Sequence, residues 1–297
     1  MPDGAELRVY ATLLGGGAVL AWLSRVHPTW LPLWAPWDFS WLVFIPTGLA
    51  AWWYARGLAR TAPIWRPSRA RRVCYWLGLG AIYAVLQTHY EYAALHLFAF
   101  NRVQHLAMHH LGPFLIALAW PGEMLARGMP PALRRAFGAR VLAGALDVVQ
   151  RPVLAGVLFV GLLYLWLLPP VHLRAMLDPT LYSVMNASMV IDGILFWTLA
   201  LDLRPSPPAR LSYPVRMLLL LGVQVPQIAL GAFICFVGRD LYPFYTFCGR
   251  IFAISPALDQ QIGGFVVWFL AGMMSAIGFM MLMYAMANDE TRQLARA

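Results

Sequence analysis

Five of the seven histidines fall between residues 89 and 110, at His89, His96, His105, His109 and His110, in the company of Glu91, Asn101 and Met108. Neutral imidazole suits copper, zinc and iron, and a nearby thioether biases a site toward Cu(I). If a helix begins by Asn101, then Asn101, His105 and His109 recur every four residues and share one face. His110 then points about 100° away from His109, toward a neighbouring helix or an interface. His89 falls close enough before this helix to face His105 across a short hairpin. A copper site read from these residues takes His105 and His109 as its core, His89 or His96 to complete it, and Met108 as a weak soft ligand. His27, between Val26 and Pro28, reads as a polar residue at the headgroups, and His172 as a residue of a short outer loop. Met176, Met185 and Met189, taken singly, read as packing.

Other polar residues stand in apolar surroundings: Gln87, Asn186, Asp192, Gln224 and Gln227. Buried amides of this kind bond neighbouring helices for about 1 kcal/mol each. A carboxylate in such a place is paired, protonated or functional, which sets Asp192 above the amides, although the sequence does not name its partner.

The elements that must hold these groups follow from composition. Of 297 residues, 61% are hydrophobic and only 12% charged, outside the range of soluble domains. A crossing of the hydrocarbon core takes about 20 apolar residues. Eight windows qualify, near 8–26, 40–58, 73–92, 103–125, 152–169, 181–201, 214–236 and 262–286. The expected fold is therefore all-α, a polytopic transmembrane helix bundle of about eight spans forming a single membrane domain over residues 1–297. The first window is read as a retained span and not a signal peptide, because no small-residue cleavage site follows it and Trp22 and Arg25 close the run.

The net charge of +9 comes from arginine, since the chain has no lysine. With a cytoplasmic N-terminus, every arginine except Arg25, Arg102, Arg174, Arg239 and Arg250 falls inside, Arg292 and Arg296 at the far end included. This bias in short loops is the positive-inside signal; it places both termini in the cytoplasm and reports orientation and anionic lipid, not nucleic acid. All seven histidines then fall in or beyond the outer half of the membrane. The segment 127–151, opened by Pro130 and Pro131, interleaves arginines with Leu133, Phe137, Val141 and Leu142 and reads as a cytoplasmic amphipathic stretch on the membrane surface. Cys74, Cys235 and Cys248 form no CxxC, and Cys235 and Cys248 read as free thiols.

Four stretches, taken together, resemble a known family. His96-Leu-Phe-Ala-Phe-Asn-Arg-Val-Gln-His105, with Gly112-Pro113-Phe-Leu after it, resembles the HxxxxHMVQH segment and following Ala-Pro-Pro-Leu turn of the polytopic CtaG-type cytochrome c oxidase assembly factors. Leu165-Trp166-Leu167-Leu168-Pro169-Pro170 is similar to the family's Trp-His-x-Pro segment. Asp178-Pro179 through Gly193 and Phe196-Trp197 resembles its next span, and Asp259-Gln260-Gln261-Ile-Gly263-Gly264 with Trp268 its last. The likeness covers most of residues 85–285. The chain departs from the pattern at Asn101 and Leu167, which stand where the family has histidine, and at Tyr182 and Asn186, where members often do.

The resemblance implies a multi-pass protein of a bacterial inner (plasma) membrane that assists copper insertion into a respiratory haem-copper oxidase, without catalysis of its own. Its partners would be an oxidase subunit, membrane lipids and a periplasmic copper donor, with Cu(I) passed by ligand exchange from a periplasmic-side site. Other readings are a b-type haem protein with one axial histidine from each of the third and fourth spans, and a metal-free assembly scaffold or a transporter. His105-Leu-Ala-Met-His109-His110 also looks like the HxxxHH box of membrane di-iron oxygenases. Those enzymes need several such boxes on the cytoplasmic side, and this chain has one, on the other side.

Overall fold

The structure, a computed structural model, describes residues 4–295; the first three residues and the last two, Arg296 among them, lie outside it. Among the described residues the ordered elements are all helical. The long ones are α1 (Gly4–Val26), α2 (Trp41–Ala59), α3 (Arg69–Gln87), α4 (98–119), α5 (Pro152–Leu167), α6 (Pro179–Ala200), α7 (Tyr213–Phe236) and α8 (Pro256–Leu294). Two of them are not uniform. A π-helical stretch, Leu106–Leu111, separates Phe98–His105 from Gly112–Ala119 within α4, and a second, Val266–Leu270, interrupts α8.

By length and apolar composition, Glu6–Val26, Pro179–Ala200, Tyr213–Phe236 and Pro256–Leu294 can each cross a membrane. Arg140–Val149 and Pro152–Leu167 add a fifth crossing if that pair, bent by 76°, counts as one span. The chain is a membrane protein on this ground. Helix α4 is less apolar because it carries Asn101, Arg102, Gln104, His105, His109 and His110, all buried against other helices and not turned to lipid.

The interior forms around α4. Its first half packs on α8 and its second on α3 and α6, while α7 lies against α8 and α5. One apolar core joins Ile82, Met108, Met185, Met189 and Ile234; another joins Phe114, Phe159, Trp197, Leu220 and Leu282. The segment 127–151 contains two short helices, Pro131–Phe137 and Arg140–Val149, with no buried residue on either. Cys235 and Cys248 are both free.

Candidate functional site

Helix α4 is started from outside itself. Leu97 at its N-cap offers no side-chain acceptor, and the carboxylate of Asp259 at the head of α8 takes that role. Its two oxygens accept from the backbone N–H groups of Phe98 (3.1 Å) and Ala99 (2.9 Å). A carboxylate there satisfies orphan donors and the helix dipole together. Arg250 completes the arrangement, its Nε donating to Asp259 Oδ2 at 3.1 Å. Gln260 ties the same end together, donating to the carbonyls of Ile234 and Arg239 and accepting from Leu241 N–H.

From this start the helix runs α-helically to His105 and then widens. A π turn closes from i to i+5, as in the bond from Gly112 N–H to the Ala107 carbonyl, so the residue one turn beyond His105 is His110, not His109 alone. His110 reaches the neighbouring helix α7 at Gln227, as expected, but it does not leave the other imidazoles: the rings of His109 and His110 lie 4.9 Å apart, and both line one void with His105. Pro113 helps to explain the widening. It has no N–H for the His109 carbonyl one α-turn earlier, and that carbonyl accepts instead from the indole N–H of Trp197 on α6, at 3.2 Å. The approach needs Gly193, where a Cβ would lie 2.5 Å from the same oxygen.

The void measures about 10 Å³ and is lined by Arg102, His105, His109, His110, Gln227 and Val267, among others. It is the size of one water or a bare ion, not of a porphyrin. The three imidazoles are buried, at 3%, 0% and 2% exposure. Asp192, whose partner the sequence did not name, sits with Oδ2 3.0 Å from His109 Nε2. The imidazole N–H donates to the carboxylate there, which leaves Nδ1 of His109 as the free nitrogen, the tautomer control common behind histidine ligands. Nδ1 of His109, Nδ1 of His110 and both nitrogens of His105 have no hydrogen-bond partner. Gln227 donates to the Val267 carbonyl at 3.0 Å and reaches His110 Nε2 at 3.5 Å.

Arg102 is the group that sequence reasoning missed. Counted there as an outer arginine, it is 1% exposed. Its guanidinium bonds Asn101 Oδ1 and stands 5.1 Å over the Phe98 ring, while Nε and Nη1 have no partner. A buried arginine beside three imidazoles puts a fixed positive charge on the wall of the void.

The other expected ligands stand elsewhere. His89 packs on Trp37 with ring centres 4.2 Å apart, and His96 lies 4.1 Å from the Tyr92 ring and donates from Nδ1 to the Tyr92 carbonyl. Neither lines the void. Met108 is fully buried in the apolar core with Met176, Met185 and Met189. His172 has both nitrogens occupied, one by the Trp166 carbonyl and one by the Tyr245 hydroxyl. Tyr182 donates to Gln104, which donates to the Val85 carbonyl. Among the described residues no three His, Cys, Asp or Glu side chains stand as a group that could hold a metal ion. The imidazoles share a void without converging on one point in it.

The model of the family described as cytochrome c oxidase caa3 assembly factor matches residues 52–289. No curated protein and no solved structure matches the chain.

Proposed function

The chain belongs to the cytochrome c oxidase caa3 assembly factor family, and from that premise we propose that it handles Cu(I) during copper insertion into a respiratory oxidase. Its route would be ligand exchange between a periplasmic copper donor and an oxidase subunit, with no catalytic step. The protein would cross a bacterial inner membrane eight times on its eight long helices, with both termini cytoplasmic. His105, His109 and His110 are the proposed donors, and the observation that carries the reading is that the π segment brings His109 and His110 to the void that His105 lines, with four ring nitrogens unpartnered. Two or three neutral imidazoles are a donor set Cu(I) accepts. His110 replaces His89, His96 and Met108 as the third donor, because those three do not border the void.

A metal-free assembly scaffold is the second reading, and Arg102 favours it. In the HMVQH pattern Arg102 stands at the methionine, so a neutral thioether has given way to a cation on the void's wall. A second cation there is opposed by charge repulsion in a medium of low dielectric.

The test is metal stoichiometry under anaerobic conditions in detergent, for the wild type, His105→Ala/His109→Ala and His110→Ala. About one Cu(I) per chain, lost in the double variant and weakened in the single one, is the expected result. A wild type that binds no copper yet still supports oxidase assembly in cells would leave the scaffold.

A further inference from the structure

Helices α2 and α6 flank a groove floored by α3, on the side of α6 away from His109. Its upper part, about 500 Å³, runs from Asp38 and Glu91 past Tyr182 and Asn186. The lower part, about 390 Å³, ends at Trp120 and Pro121. Pro46, Thr47, Ile82 and Val190 line both, so the two parts form one continuous channel along the helices. Ile191, on its rim, is 60% exposed, which opens the groove sideways toward lipid.

Polarity is confined to the upper end. In the lower part the hydroxyls of Thr47, Tyr75 and Thr198 donate to the carbonyls of Val43, Ala50 and Ile194 and present little but hydrocarbon. At the upper end Glu91 is 9% exposed and Asn186 6% exposed, and Asn186 Oδ1 has no partner. Asp38, exposed at the mouth, and Glu91 border the same space, neither carboxylate has an ion pair or hydrogen bond among the described residues, and no arginine lines the groove. A buried carboxylate left without a cation or donor is costly. Glu91 and the amide oxygen of Asn186 lack the same thing at this opening, a positively charged hydrogen-bond donor, and the exposed Asp38 adds a second negative charge at its mouth.

We propose that this groove binds one bilayer lipid of the phosphatidylethanolamine class, its primary ammonium at Glu91, Asp38 and Asn186 and an acyl chain along Pro46, Thr47, Ile82 and Val190. An ammonium supplies three N–H donors with its charge. A quaternary ammonium supplies the charge without donors, and an anionic headgroup is repelled. The lower groove gives the chain an apolar bed whose protein polar groups are already satisfied. This site is independent of the copper reading and shares no residue with the void.

The experiment uses the full chain, reconstituted in nanodiscs of equal phosphatidylethanolamine, phosphatidylcholine and phosphatidylglycerol and released into detergent, with retained lipid read by native mass spectrometry. Phosphatidylethanolamine is expected to be retained several-fold over both others. The preference should vanish in Asp38→Asn/Glu91→Gln, while Val190→Trp, which fills the groove, should lose bound lipid of every class. Equal retention of the three lipids by the wild type, or a preference that survives the charge-removing double variant, would overturn the proposal. So would a quinol found bound in the lipid's place.

Discussion

The two π segments, Leu106–Leu111 in α4 and Val266–Leu270 in α8, share a construction and differ in what they carry. Each faces a glycine on a neighbouring helix: Gly193 of α6 against the His109 carbonyl, and Gly231 of α7 against the backbone of Trp268, where a Cβ would come within 2.7 Å of the nitrogen. Each has a backbone carbonyl caught by a side chain of that same neighbour, Trp197 on His109 and Gln227 on Val267. The first segment presents histidines to the central void and the second presents Val266 and Val267 to its other wall. The widened turn is thus a packing device used twice, and only one use carries groups with chemistry. Neither π turn taken alone points to a site; the proposed one rests on the imidazoles that the first carries.

The hardest way to break this comparison is to block the close approach. Gly193→Val forces a branched side chain into the His109 carbonyl, and Gly231→Val does the same at Trp268. Overpacking of this kind costs about 1–3 kcal/mol, and more where backbone lies in the way. Both variants should lower the melting temperature in detergent, or the yield of folded protein, by similar amounts. If Gly231→Val were tolerated while Gly193→Val was not, the two segments would not be the equivalent packing devices described above.

Asp259→Ala comes next, since it removes a cap and an ion pair at once. The orphaned Arg250 and the exposed start of α4 together should cost about 3–5 kcal/mol, the range for breaking a buried pair by truncation. Asp259→Asn keeps an acceptor for Phe98 or Ala99 and should recover part of that loss. Thermal unfolding of the two variants side by side checks the order.

Asp192→Asn separates the chemical freight from the packing. The amide can still accept from His109 Nε2, so stability should change little, but it no longer favours the tautomer with Nδ1 free as a carboxylate does. Loss of such outer support typically lowers metal affinity about 10–100-fold, measurable by Cu(I) competition titration. Unchanged affinity in this variant would remove His109 from the proposed donor set.

Much of this architecture is legible in the sequence, and the exceptions share a cause. Windows near 152–169, 181–201 and 214–236 fall within two residues of Pro152–Leu167, Pro179–Ala200 and Tyr213–Phe236, because apolar length and flanking prolines are local signals. The fourth helix starts at Phe98, five residues before the window near 103–125, because its cap is Asp259, 160 residues away from Ala99 along the chain. His105 and His109 border one void, on the same side of the helix as their spacing suggests. His110 joins them only through the π turn, for which Pro113 was the one local hint. Arg102 was read by charge count as an outer residue, a reckoning that ignores which face of a helix a residue occupies.

The finest test concerns the two captured carbonyls. Trp197→Phe keeps the ring and removes the indole N–H, leaving the buried His109 carbonyl without this donor, at a cost of about 1–3 kcal/mol. Gln227→Leu keeps approximate volume and removes the donor to Val267, with a cost in the same range. The difference should lie in copper binding. Trp197 holds the backbone of a proposed ligand, so its loss should loosen the site and raise the Cu(I) dissociation constant along with the loss of stability. Gln227 holds the apolar wall and touches His110 only through a 3.5 Å contact, so its loss should affect stability more than affinity. A larger affinity loss in Gln227→Leu than in Trp197→Phe would mean that the void's wall, and not the π turn of α4, sets the geometry of the imidazoles.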